Sequence, residues 1–531
     1  MSPAVMYGVP AAVVAAGAAL WWAKSTGRLG GGGAAGGGGA AASDDDAPPA
    51  IPDKVPDLSA MLAGKQGPQV LDRKAKKELD KSASKLRSQQ TVSLHGQNLG
   101  DAGIEYLAPA LIYNNSCVAL DLGNNGIESR GFGVLCESLR KNKTLESLNV
   151  EVNNVGDDGA EAIAAVLISG DSGLQKLRLA ANGVTDSGAA ALASALKENA
   201  TLRSLDLSGN GLEYEGMKAL AEVLAESETL EALVLSDNYL GVQGAMVLAN
   251  GLRANKSLKS LSVAGNDLGD AGVSAIVSAL SAREGAELVE LDVGNNGLSS
   301  REACEGLGEL LKASKDTLKS LVLKGNDLGA AGAEAVFTAM AEAGMPALAE
   351  LQAEACAIRP EAGTYVAAAL KACTGLREVN LSSNPLAPMG MKALADVLKF
   401  DCDHITDLRL GWIKLGAVAG AESLADVLQF NTALTSLDVR GNDFKNNGAL
   451  HVARALRARE GADLKQLLLE YNSIEDQGLC AIAQALKANP DGAPRMLKVS
   501  YNNHSSMSRV ALDEARDMVL ELTGEDMELW Y

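Results

Sequence analysis

Residues 205–233 read LDLSGNGLEYEGMKALAEVLAESETLEAL, and residues 233–261 read LVLSDNYLGVQGAMVLANGLRANKSLKSL. Both carry LxLxxNxL, followed by apolar residues at helical spacing. Aligned on that motif, the Asn slot is filled in turn by Gln97, Asn125, Asn153, Asn182, Asn210, Asn238, Asn266, Asn296, Asn326, Cys356, Asn384, Ile413, Asn442, Asn472 and Asn502. The intervals are 28, 29 or 30 residues, so about fifteen units fill roughly residues 90–510. Self-similarity at such a period decides the architecture before any local reading does.

Each unit encodes a short strand and then a helix. The leucines of LxL alternate, so they share the inward face of a strand. The Asn stands where the chain leaves the strand. Its amide can bond backbone groups that would otherwise cost about 1–3 kcal/mol each if left unpaired. Runs such as VTDSGAAALASALKENATL (184–202) then carry the 3.6 period, with Ala and Gly where helix and strand approach closely. One unit cannot bury its apolar strand and helix alone, whereas stacked units can. The expected fold is an α/β repeat solenoid with parallel strands on a concave side and helices on a convex side. Two units depart from the pattern: Cys is an accepted substitute at 356, whereas Ile413 has no amide and predicts local irregularity.

In these motifs the chain resembles the leucine-rich-repeat family. Its long helical units are similar to those of ribonuclease inhibitor, the sensor arms of NOD-like receptors and Ran GTPase-activating proteins. The motif covers about four fifths of the chain. The resemblance implies a horseshoe whose strand face or rim binds protein, and no catalytic residue carries over. A GTPase-activating role of the Ran-directed class is an alternative. That class ends in a strongly acidic tail, and the GEDMELWY ending here weighs against it. A ribonuclease-inhibitor-like regulator is another alternative.

The 531 residues carry a net charge of −20, which argues against nucleic-acid binding, since that needs a basic footprint. Seven cysteines, an odd number without a CxxC, point to a reducing compartment rather than a disulfide framework. No phosphate loop, GxSxG elbow, HExxH or EF-hand spacing occurs. Cys373 and Cys402 share a repeat phase, with His404 nearby, and read as ordinary thiols. No enzyme activity, metal or cofactor is expected.

Outside the repeats, Ala4–Ala23 are uncharged and mostly apolar, long enough as a helix to match a membrane at roughly 30 Å. Tyr7 lies near one end, and Trp21 and Trp22 near the other, as interface anchors do. Lys24 and Arg28 follow, which places the repeats on the cytosolic side by the positive-inside rule. Residues 1–24 therefore read as a single-pass anchor or a targeting segment. A free cytoplasmic protein, or an organellar one after cleavage, stays open. Residues 25–64 read as a Gly-, Pro- and Asp-rich flexible linker, 65–90 as an N-terminal cap helix, 91–505 as the repeat domain and 506–531 as a C-terminal cap. Trp530 and Tyr531 either fold onto that cap or form a short recognition tail.

Sequence variation on the strand face points to a partner site. Early slots are bland, with Ser93, Asp121, Asn149 and Asp206, whereas later ones carry Arg409, Arg440, Glu470 and Lys498. The slot before the Asn holds Trp412, Tyr471 and Tyr501 in a chain with only 3% aromatics. Aromatic and Arg residues are typical anchors of interfaces. These seven residues are the candidate binding set for a protein partner. The alternative is that they fill irregularities near Ile413 and the array end.

Overall fold

A computed structural model describes residues 71–170, 172–283, 285–460 and 464–531. The anchor expected over 1–24, the linker over 25–64 and the start of the cap helix lie outside the described residues. No helix among the described residues is long and apolar enough to cross a membrane. Among the described residues sixteen α-helices, the first being Arg73–Leu86, alternate with sixteen strands. The chain divides into two compact units. The first runs to Leu220 and takes in Val234–Tyr239; the second comprises Ala221–Leu233 and Leu240–Tyr531.

In the first unit the strands Thr91–Ser93, Ala119–Asp121, Ser147–Asn149, Lys176–Arg178 and Ser204–Asp206 pair in parallel and in chain order. The register aligns Val92, Leu120, Leu148, Leu177 and Leu205, all buried. In the second unit the same rule runs from Ser260–Ser262 to Glu528–Trp530. A one-residue slip would turn each middle leucine to solvent, which is why the register never shifts. The last strand, Glu528–Trp530, lies outside the fifteen motif units and carries no Asn slot.

Three polar ladders stitch the repeats. The expected Asn ladder is the first. Asn296 is buried. Its Nδ2 donates to the carbonyls of Val263 (3.0 Å), Val293 (3.2 Å) and Gly294 (3.1 Å). Its Oδ1 accepts from the amides of Asn266 (3.0 Å) and Leu268 (3.4 Å). Asn125 repeats the scheme in the first unit. Cys356 keeps the donor half, its Sγ lying 3.2 Å from the Leu323 carbonyl and 3.4 Å from that of Glu354. Ile413 offers nothing, and the backbone adapts. The Leu386 amide turns to the Asn384 carbonyl at 2.8 Å, and a π-helical segment, Gly416–Gly420, follows Ile413.

The second ladder lies at the helix ends. Nδ2 of Asn142, Asn199, Asn255, Asn431 and Asn489 each donates to a carbonyl near the end of the preceding helix, at 2.6–3.0 Å. Two repeats use a longer reach. Arg283 donates to the Leu258 carbonyl at 2.9 Å, and Arg459 to those of Asn431 and Leu434 at 3.1 and 3.0 Å. Both guanidiniums are buried, and burial lowers their pKa values.

The third ladder caps helix starts from the preceding repeat. Asp157 accepts from the Thr185 amide at 2.7 Å, Asp186 from Glu213 at 2.7 Å and Asp270 from Ser299 at 2.7 Å. Each such Asp satisfies amides that a helix leaves unpaired at its own N-terminus. Asp476 shows the consequence. Hydrogen bonds from the Ser505 and Ser508 side chains and the Ser505 amide hold its carboxyl down to about 2, from an ordinary 3.8. A folded pKa depressed in this way contributes stability that is present above the ordinary value and lost as pH falls through the folded one. Acid titration is therefore expected to expose the amides at the start of the helix Ser506–Thr523 between about pH 4 and pH 2. Hydrogen exchange would detect it, and Asp476→Asn should remove that pH dependence. The same protection profile in both proteins would show that Asp476 does not cap this helix.

Candidate aromatic platform on the strand face

The turn after each strand explains how the aromatic side chains are held. All fifteen residues that precede an Asn-slot residue have positive φ, from Gly96 to Tyr501. Gly, Asn and Asp suit that left-handed conformation, while bulky residues enter it at a cost on the order of 1–2 kcal/mol. Trp412, Tyr471 and Tyr501 adopt it with φ of 60°, 57° and 58°. Strained residues of this kind persist where the surroundings over-determine them, and they cluster at functional sites.

The three rings form one stack. Tyr471 and Tyr501 lie nearly parallel, with centroids 4.3 Å apart and planes 8° apart. Trp412 meets Tyr471 at 5.6 Å and 42°, although a whole repeat lies between them in sequence. That repeat presents Gly441 in the left-handed slot, and a Cβ there would collide with Trp412 Cδ2 and Cε3. The missing side chain is the space in which the indole lies. Offset and tilted ring pairs at these distances are attractive. The platform is also open: Trp412 is 38% and Tyr501 71% exposed.

The charged members of the expected set divide around it. Arg440 is clamped on the buried Asp438, with Nη2 2.6 Å and Nε 2.9 Å from its carboxylate, and this hydrogen bonding holds the guanidinium pKa up. Arg409 pairs with Asp407 at 3.0 Å. Glu470 stands beside Tyr471 in sequence and is buried, with no hydrogen-bond partner on Oε2; burial pushes its carboxyl up despite Arg440 and Lys498 nearby. Lys498 turns to Trp530, with Nζ 4.8 Å from the ring centroid. The structure thus unites the three aromatic residues and anchors Arg409 and Arg440 in local ion pairs.

Two contributors were not visible as such in the sequence. Gly441 has only its position between aromatic slots to mark it. Trp530 is placed by the last strand, where Lys498 aligns with Trp530. Tyr531 hydrogen-bonds Asp513 at 3.0 Å, so the end of the chain lies on the last helix and strand. Cys373 and Cys402 are buried, their thiols pushed up to about 12, and His404 Nε2 lies 3.1 Å from the Leu370 carbonyl. No group of three or more metal-binding side chains occurs among the described residues.

A family model described as Leucine Rich repeat matches residues 141–164, 173–193, 198–221, 254–277, 315–337, 372–395 and 430–453. The chain is a leucine-rich-repeat protein, of the ribonuclease-inhibitor-like kind. Among its leucine-rich-repeat relatives, the ribonuclease inhibitor of Mus musculus is 31% identical over 168 residues, covering 32% of this chain and 36% of that one. The ribonuclease inhibitor of Sus scrofa is 30% identical over 211 residues, covering 35% and 46%. NACHT, LRR and PYD domains-containing protein 12 of Mus musculus is 29% identical over 159 residues, covering 30% and 15%. The matches thus span less than half of each relative. Among solved structures, the Rad7 and Elc1 complex in yeast aligns with a TM-score of 0.47 at 17% identity, over 70% of this chain and 84% of that one.

Proposed function

We propose that this leucine-rich-repeat chain is a non-catalytic scaffold that binds a protein partner on the strand face of its second unit. The observation that carries the reading is the exposed Trp412–Tyr471–Tyr501 stack, held together at the expense of three left-handed aromatic residues. Rigid aromatic anchors concentrate binding energy. A flat, open stack suits a protein surface better than an enclosed small-molecule site, which is concave. We further propose that residues 4–23 tether the scaffold to a membrane with the repeats facing the cytosol. The apolar run and the basic residues after it support this. A ribonuclease-inhibitor-like regulatory role is a second form of the same reading, favoured by the mouse and pig relatives.

One experiment tests both parts. Proximity labelling and carbonate extraction compare the full chain, a chain lacking residues 1–30, and the Tyr471→Ala/Tyr501→Ala variant. The reading predicts that only the shortened chain leaves the membrane pellet. It also predicts that the tyrosine variant stays in the pellet yet loses a specific labelled neighbour. Identical neighbours with and without the tyrosines would remove the platform from the proposal. Extraction of the full chain would remove the tether.

A further inference from the structure

The two ends of the described array are finished differently. A solenoid's terminal helices face solvent where interior ones meet a neighbour, so their outer surfaces are normally polar. The opening helix Arg73–Leu86 follows that rule: Leu79, Ser82 and Leu86 are buried, and no large apolar side chain on it is exposed. The closing helix Ser506–Thr523 does not. It buries Ser508, Leu512, Ala515 and Val519, yet leaves Met507, Val510, Met518, Leu520 and Leu522 between 37% and 65% exposed. At 100° per residue Met507, Val510, Met518 and Leu522 fall on one side of the helix, an arc that also carries the exposed Glu514 and Glu521, while Leu520 lies on the other side. The four form an exposed apolar stripe with carboxylates set within it, on the side of the helix where polar residues would be expected throughout.

The stripe runs into a cleft. At the helix's C-terminal end a cavity of about 440 Å³ is lined by Leu522, Val519 and Met527, together with Asp491, Glu525, Asp526 and a single cation, Arg495. The surroundings are acidic. Residues 506–531 carry seven carboxylates against two arginines. Arg516 is engaged with Asp513 and Asp517 at 3.2 and 2.9 Å, and so does not offset the remaining negative charge. Glu514 meets Lys487 at 2.7 Å and Glu525 meets Arg495 at 3.2 Å, both at the exposed surface, where such pairs are weak and exchangeable.

We infer that this stripe and cleft form a second docking surface, for a basic amphipathic helix of a partner protein. Apolar residues recurring at helical spacing over about four turns of the incoming helix would lie along Met507, Val510, Met518 and Leu522, with one entering the cleft. Its lysines or arginines would face the carboxylates within and beside the stripe. A second copy of this end fits less well, because the acidic margins would face each other. The surface is separate from the aromatic platform, so the two are tested independently.

The test uses the full chain and a fluorescent helical peptide of about 18 residues built from Leu and Lys with a helical repeat, long enough to hold helix on binding. A scrambled peptide of the same composition measures non-specific attraction to this acidic protein, and a Leu/Glu peptide reverses the charge. Fluorescence anisotropy should show the patterned basic peptide binding about tenfold or more tightly than the scrambled one, and the Leu/Glu peptide not binding. The Met518→Glu/Leu522→Glu variant should lose that advantage. Met246→Glu, an exposed methionine on the helix Gly241–Ala254, should keep it. Equal binding of patterned and scrambled peptides, or no effect of the double variant, would overturn the proposal. Sedimentation velocity adds a further arm: concentration-dependent dimers abolished by the same variant would assign the surface to a second copy and overturn the partner helix.

Discussion

Asn296→Ala is expected to destabilise the protein by about 3–5 kcal/mol, among the larger effects available to a single substitution. The asparagine makes five hydrogen bonds to backbone groups of two neighbouring repeats. Its removal strips the Asn266 and Leu268 amides of their acceptor inside the core. Each unpaired buried amide costs about 1–3 kcal/mol, while the carbonyls, with a second lone pair, suffer less. In a stacked array the loss falls on the interface between adjacent repeats, so local opening should precede global unfolding. Denaturant titration gives the total, and hydrogen exchange should place it at residues 263–296. Asn250→Ala, on the exposed side of the helix Gly241–Ala254, is the control and should stay within about 0.5 kcal/mol. Asn296→Cys should fall between the two, because Cys356 shows that a thiol keeps the donor half of the slot. Equal stabilities for the Asn296→Ala and Asn250→Ala proteins would dismantle the ladder account.

That Asn slot was legible because its chemistry repeats visibly every 28–30 residues and its partners are backbone atoms common to all sequences. The strand register was legible for a similar reason: a buried Leu sits in the middle of nearly every strand. The other two ladders were harder to see. Asn199 and Asn255 directly follow helices in sequence, and their side-chain amides reach back to the end of the helix before. Asp157 and Asp186 stand in the first turns of their own helices, yet the amides that they cap lie 27–31 residues downstream. The final strand escaped because Leu497 and Leu529 align at an interval outside the 28–30 range, with no Asn to mark the turn. At the candidate site, the aromatic slots could be read from scarcity and phase. Their contact could not, because it depends on a side chain that Gly441 lacks.

Gly441→Ala should therefore do more damage than the addition of one methyl group suggests. The residue has φ +66°, so any Cβ brings a backbone cost of about 1–2 kcal/mol. Gly209→Ala isolates that cost: Gly209 has φ +64° in the equivalent slot, and its added Cβ would meet neighbours only at 3.6–3.7 Å, ordinary contact. At Gly441 the same methyl must also displace the Trp412 indole, which cannot then reach Tyr471 in its present place. The expected result is a greater loss of stability than in Gly209→Ala, a shift in Trp412 emission as the ring moves into water, and loss of the labelled neighbour that depends on Tyr471 and Tyr501. Removing the indole relieves the collision but not the loss of the stack, so Gly441→Ala combined with Trp412→Gly should recover stability toward the Gly209→Ala level without recovering the neighbour. That pairing separates the two roles of the ring. If Gly441→Ala binds its partner as the unaltered chain does, an unbroken stack is not what the partner reads. If binding falls while Gly209→Ala keeps it, the continuity of three rings across four repeats is the feature recognised, and the backbone strain beneath them is what positions it.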